Sequence, residues 1–174
     1  MTETRLRTPP PRDRRASRSW AWFCGYCGTP YDKDAPPEPM ARVCGKCSFG
    51  LLIEAPQPVA PDSREAFVIV DHDLRLQAVG WRAEKLLNVL ESFVVGSDLT
   101  ELLLPIDWEK NGGGVLTDAV FDAVGDGHMP VPAHLVVRGV TDPSLVLRAR
   151  IGRCGPARAA LIVLQQQPAR PRPA

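Results

Sequence analysis

Two matched cysteine pairs, Cys24-Gly25-Tyr26-Cys27 and Cys44-Gly45-Lys46-Cys47, stand sixteen residues apart in a 174-residue chain. Each C-x-x-C turn delivers two sulfurs from one end of a hairpin. Two such turns bring four thiolates to one point, the donor set of a closed tetrahedral metal site. Gly25, Gly28 and Gly45 suit the tight backbone that wraps an ion. The second pair departs in one respect: Ser48 follows it where such turns often have glycine, and Gly50 comes too late to fill that position. No βαβ pattern surrounds either pair, as a thioredoxin-type dithiol requires.

The spacing therefore reads as a zinc ribbon over residues 20–53, with Cys24, Cys27, Cys44 and Cys47 holding a structural Zn²⁺. Trp20, Trp22, Phe23, Tyr26, Tyr31 and Phe49 supply a small apolar layer over the site. Lys33, Arg42 and Lys46 are too few for a phosphate track, which favours a protein over a nucleic acid as the ribbon's partner. So small a module depends on its ion, and its loss is expected to disorder residues 20–53 while leaving the rest of the chain folded. The stretch Cys24-Gly25-Tyr26-Cys27-Gly28 followed by Tyr31-Asp32 is similar to the first knuckle of rubredoxins, which keeps an iron or redox site as the alternative.

Composition divides the remainder. Residues 1–19 carry six arginines, two acids and three consecutive prolines, with no apolar signal region, so they read as a disordered arm of a cytoplasmic protein. No apolar run approaches the roughly 20 residues of a membrane span. Residues 54–62 hold three prolines in nine positions and read as a stiff linker. Residues 63–165 form a compact domain, and residues 166–174 a disordered, proline-rich tail. The arm is basic and residues 61–167 sum to −4, so any nucleic-acid binding is expected to be weak, non-specific and confined to the arm.

Within 63–165 the periodicity predicts a hairpin, residues 66–71 and 74–78, then a helix over 81–90 with Ala83, Leu86, Leu87 and Leu90 on one face. Asp98 with Glu101 marks the cap of a short helix ending at Pro105. After Gly112-Gly113-Gly114, Leu116, Ala119, Val120, Ala123 and Val124 form a third stripe, and three strands follow over 131–137, 145–151 and 159–164. Residues 152–155, including Cys154, read as a turn.

The segment Glu65-Ala66-Phe67-Val68-Ile69-Val70-Asp71 with Leu74-Arg75-Leu76 resembles the opening hairpin of PAS domains. Ala83-Glu84-Lys85-Leu86-Leu87 resembles their first helix, and Val94-Val95-Gly96-Ser97-Asp98-Leu99-Thr100-Glu101-Leu102-Leu103 a characteristic segment after it. The resemblance spans the domain and implies an α+β fold, a five-stranded antiparallel sheet with short helices on one face. It also implies a sensory or interaction role, in which the domain binds a small ligand, dimerises or contacts a protein partner. Phe67, Ile69, Leu76, Leu86, Leu90, Leu103, Phe121, Leu135, Leu147 and Val163 are expected to converge on its pocket. The chain as a whole is similar to small actinobacterial regulators with a zinc ribbon before a PAS domain.

No haem or flavin signature accompanies the resemblance. The cysteine motif of flavin-binding light sensors is missing, and His72, His128 and His134 fall in a turn, a loop and a strand. Arg148 and Arg150 share one strand face, read as solvated. A nucleophile elbow, P-loop, dinucleotide fingerprint and H-E-x-x-H are all lacking, so the chain is expected to act by binding, without catalysis.

Overall fold

The strand expected over 66–71 is buried at five consecutive positions, and this sets the architecture. A strand with water on one side alternates; one covered on both sides does not. The computed structural model describes residues 20–32, 35–106, 114–125, 131–155 and 158–166. The expected arm, the tail beyond Gln166, His128, Lys33, Gly112 and Gly113 lie outside these residues.

Eight strands and three helices are described. The strands β1 (Trp20–Cys24) and β2 (Leu52–Pro56) pair antiparallel, from Trp20 opposite Pro56 to Cys24 opposite Leu52. The rest of the strands are β3 (Ala66–Asp71), β4 (Leu76–Val79), β5 (Leu103–Pro105), β6 (Ala133–Gly139), β7 (Val146–Cys154) and β8 (Ala159–Gln166). They form one antiparallel sheet in the order β4-β3-β8-β7-β6-β5. The α+β class is as expected, with one strand more than the five predicted.

One face of this sheet carries α1 (Trp81–Leu87), α2 (Glu91–Val94) and α3 (Gly114–Val124). Ala66, Val68 and Val70 of β3 join Leu147 and Ile151 of β7 and Ile162 and Leu164 of β8 there. Ala83 and Leu87 of α1 and the complete α3 stripe (Leu116, Ala119, Val120, Ala123, Val124) close this core. The other face carries the β1–β2 hairpin. Phe23, Ala55 and Val59 pack there on Phe67, Ile69, Leu161, Val163 and Cys154. Phe23 and Phe67 meet edge to face, with ring centroids 5.6 Å apart.

Four expectations are corrected. Residues 54–62 are not a free linker: Glu54, Ala55 and Pro56 belong to β2, and the Val59 and Ala60 amides donate to the Pro56 carbonyl. Val59 is then pressed on Gly152, where a Cβ would come within 2.4 Å of it. The prolines shape a turn at the end of a two-stranded hairpin, where no ladder donor is needed. Secondly, α1 stops at Leu87 because Asn88 turns left-handed at φ 54°, a conformation Asn tolerates, and Leu90 lies outside the helix. Thirdly, Asp98 does cap a helix, accepting from the Thr100 amide at 2.9 Å, but it is a single 3₁₀ turn, Leu99–Glu101. Residues 103–105 instead pair with β6. Finally, β7 runs through the glycine-flanked stretch to Cys154, which is buried opposite Ala159. No described helix is long and apolar enough to cross a membrane.

Candidate metal centre

The first cysteine pair follows directly on β1 and the second lies just before β2, so pairing the two strands brings the two turns together. Cys24 closes β1 opposite Leu52, the first residue of β2. The Gly25 amide donates to the Leu51 carbonyl at 2.8 Å, and the Cys44 amide to that of Gly50 at 2.8 Å. The four Sγ atoms lie within 4.8 Å of one another. Cys24 to Cys47 is 3.6 Å and Cys27 to Cys44 is 3.9 Å. A tetrahedron with metal–sulfur bonds of about 2.3 Å has edges of about 3.8 Å, so the donors fit a tetrathiolate ion. All four cysteines predicted as ligands are thus brought together.

Backbone amides turn toward two of the four sulfurs. Amides of Tyr26 and Cys27 point at Cys24 Sγ, and that of Gly50 at Cys47 Sγ, each at 3.4 Å. Burial pushes the Cys24 thiol up to about 12, against the lowering effect of those amides. Desolvation also raises Cys47, but the Gly50 and Phe49 amides and the neighbouring thiols outweigh it and bring it down to about 6. A cation seated among the four sulfurs would take them as thiolates.

The second turn shows how the missing glycine is replaced. Ser48 itself takes the left-handed conformation, at φ 55°. Gly50 serves a different need, space: a Cβ there would lie 2.4 Å from Cys24 Sγ and 2.7 Å from Tyr26 Cβ. Phe49, next to it, stacks its edge on Tyr26 and is otherwise 71% exposed.

The first turn is bonded to the larger domain. The Trp81 amide, which opens α1, donates to the Tyr26 carbonyl at 3.0 Å, and its indole N–H to the Cys27 carbonyl at 3.4 Å. The Arg82 guanidinium and the Lys85 ammonium lie 4.6 and 4.4 Å from the Trp81 ring centre. The Phe67 ring fills the space beneath, close enough that a Cβ on Gly80 would meet it at 2.8 Å. Sequence reasoning missed Trp81 because its contacts with Tyr26 and Cys27 span more than fifty residues, and Gly80 because its need for space is set by the Phe67 ring on another element. The one legible signal was the aromatic residue at the mouth of a helix that lacks a side-chain cap.

The ten residues expected around one pocket do not share a side of the sheet. Leu76, Leu103 and Leu147 are buried on the helix side, with Leu86 and Leu135 partly buried against them. Phe67, Ile69 and Val163 face the hairpin. Leu90 and Phe121 are 56% and 48% exposed. Strand parity separates the first groups, because side chains of alternate residues point to opposite faces.

The remaining candidates are dispersed. His72 and His134 are exposed. Cys154 is buried in the hairpin-side core, which pushes its thiol up to about 12 and leaves it an unreactive packing group. Arg148 is exposed as expected, but Arg150 is engaged: its terminal nitrogens reach the Glu65 carboxylate at 3.2 and 3.0 Å. Burial raises the Glu65 pKa, yet hydrogen bonds from Arg150, the Asp62 amide and Gln165 outweigh it and hold the carboxyl below its usual range.

No family model and no curated protein matches the chain. Solved structures similar to it include the PAS domain of the RpfR quorum-sensing receptor of Cronobacter turicensis, in complex with BDSF. That domain is 13% identical at a TM-score of 0.43, over 62% of this chain and 98% of that one. The PAS domain of an HTR-like protein from Haloarcula marismortui is 15% identical at 0.44, over 60% and 83%. A PAS domain of a two-component sensor histidine kinase is 6% identical at 0.39, over 59% and 85%.

Proposed function

We propose that the chain is a non-catalytic regulatory protein in which a structural zinc ion holds a ribbon against the back of a PAS-like sensory domain. The observation that carries this reading is the closed four-thiolate cluster bonded to the first helix of the domain. All four donors are protein thiolates, so a tetrahedral ion there keeps no position open for a substrate, the arrangement of a structural site. The six-stranded sheet with helices on one face supports the PAS-like assignment. The buried helix-side core makes that domain a packed platform for a ligand or partner.

The ribbon's outer surface favours a protein partner. Met40, Val43, Phe49 and Leu51 around the second turn are exposed, and Val43 is bridged to Leu51. Exposed apolar groups of this kind mark protein contacts more than phosphate contacts. Arg42 lies 5.4 Å from the Trp22 ring centre, which occupies one of the module's few cations. Nucleic-acid binding is assigned only to the N-terminal arm, weak and strongly salt-dependent.

Metal analysis with an absorption spectrum of freshly purified protein tests the reading. One equivalent of zinc and no visible absorption are expected. Stoichiometric iron with a red tetrathiolate spectrum would replace it with an electron-transfer function.

A further inference from the structure

We propose that the cleft between the metal-bearing hairpin and the end of the larger sheet is a binding site for a small, uncharged, mainly apolar ring compound. This deepens the regulatory reading above by naming the place and the kind of ligand. It fails separately from that reading, because metal content is measured on protein that has met no ligand.

The hairpin covers its face of the sheet unevenly. Phe23 lies over Phe67, and Val59 is pressed on Gly152. Toward the turns that join β3 to β4 and β7 to β8, a cleft of about 480 Å³ stays open. Ile53 of β2 lines it from the hairpin, and Ile69, Cys154 and Ala159 line it from the sheet. Ala159 stands in register between Asp71 of β3 and Cys154 of β7. Its single methyl group leaves the space that a larger side chain would fill.

Backbone bonds keep the cleft open. Beside Ile53, the Glu54 carbonyl accepts from the Gly155 amide at 2.8 Å. A Cβ on Gly155 would meet the Glu54 side chain at 3.2 Å, so glycine is what lets the two strands come this close. The wall is fixed before anything enters, and a preformed site asks little ordering of its ligand. The volume falls within the roughly 300–1,000 Å³ of small-molecule sites.

The lining sets the class of ligand. The floor is aliphatic carbon with one thiol, and a polarizable sulfur suits contact with a ring. At the mouth, Asp71 commits its carboxylate to its own turn. One oxygen accepts from the Asp73 and Arg75 amides, each at 2.9 Å, and the other from the Gln77 side chain at 2.6 Å. His72 lies 3.4 Å from Asp73, and Arg158 sets a positive charge on the same rim as Asp71. Charges of both signs at one mouth give no net field that favours an ion. A charged ligand would also exchange its water for hydrocarbon on entering, a cost that an uncharged ring does not meet.

The isoleucine methyl spectrum of the full, metal-loaded chain tests the proposal, with indole as the probe. The chain has five isoleucines. Ile53 and Ile69 line the cleft, Ile151 and Ile162 are buried on the helix side, and Ile106 is exposed. Saturable shifts at Ile53 and Ile69, with Ile151 and Ile162 unmoved, are expected. Indole-3-acetate, the same ring with a carboxylate, should bind about tenfold more weakly or worse. Ala159→Leu should abolish binding, and Ala159→Val, a smaller intrusion, should weaken it about tenfold, with the Ile151 and Ile162 signals verifying that each variant is folded. Arg158→Ala should leave the affinity within about twofold, because no charge is engaged. Shifts that never saturate, shifts centred on Ile151 and Ile162, or no shift up to the solubility limit of indole would each overturn the proposal. So would tighter binding of indole-3-acetate, or a loss of binding in Arg158→Ala.

Discussion

Replacing Phe23 with alanine should destabilise the whole molecule and not only the metal module. Phe23 is 1% exposed, yet it belongs to the hairpin, and the ring it meets, Phe67, belongs to the sheet. Truncating a buried phenylalanine costs about 3–5 kcal/mol, part from lost transfer energy and part from the void that remains. The void here opens between two elements joined by polar contacts, the two at Trp81 and the Gly155 amide on the Glu54 carbonyl at 2.8 Å, so neither can collapse into it without breaking them. In a domain of this size about 1 kcal/mol corresponds to about 2–4 °C, and the melting temperature should fall by about 10 °C. A double-mutant cycle with Phe67→Leu should return a coupling of about 0.5–1.5 kcal/mol from the edge-to-face pair. The assay is denaturant unfolding followed at two reporters, amide signals of β1 and of β7. Both should move to the same lower midpoint. If the β1 signals are lost while β7 unfolds at its original midpoint, the hairpin is an independent module and the shared core is energetically idle.

Chelation of the metal should lower the unfolding midpoint of the sheet as well, and should speed hydrogen exchange of the Trp81 indole N–H; an indole as protected as before would show that the turn holds without its ion. On the helix side, Leu116→Ala should cost about 2–5 kcal/mol, whereas Phe121→Ala should stay within about 0.5 kcal/mol, as measured by urea unfolding. Glu65→Gln should cost about 1–3 kcal/mol at neutral pH through the lost bonds to Arg150. Because the folded pKa of Glu65 lies below its unfolded value of about 4.3, its contribution is complete above that pH and fades as pH falls through the folded value. The wild-type and Glu65→Gln stabilities should therefore converge in acid, and a gap that persists there would remove the charge from the explanation.

The sequence announced the cysteine cluster because its chemistry is local: two short turns of fixed spacing leave little freedom in what they bind. It announced the order of strands and helices for a similar reason, since each element writes its own period. What stayed hidden was the relation between elements. β3 offered no parity to read, since Phe67 and Ile69 are as buried as Val68 and Val70. A pocket list drawn from it mixed two faces. The three prolines of 54–62 looked like a spacer because proline marks both linkers and turns. Only the burial of Ala55 and Val59 by distant strands decides between them. Gly152 carried the matching signal on β7, but a glycine that makes room for a remote valine looks, in sequence, like one that makes a turn.

Placing the hairpin's seat on β7 and β8 has a consequence for synthesis. The cysteines leave the ribosome first, while the strands they lean against emerge last, roughly a hundred residues after β2. At about 5–20 residues per second, the four thiols spend about 5–20 s exposed before that seat exists. A metal ion bound in that interval is held by a nascent hairpin without those strands, and the ion-bound turn docks on them only at the end of translation. Oxidant or a competing metal present in that interval would fix the fate of the chain before its sheet had formed.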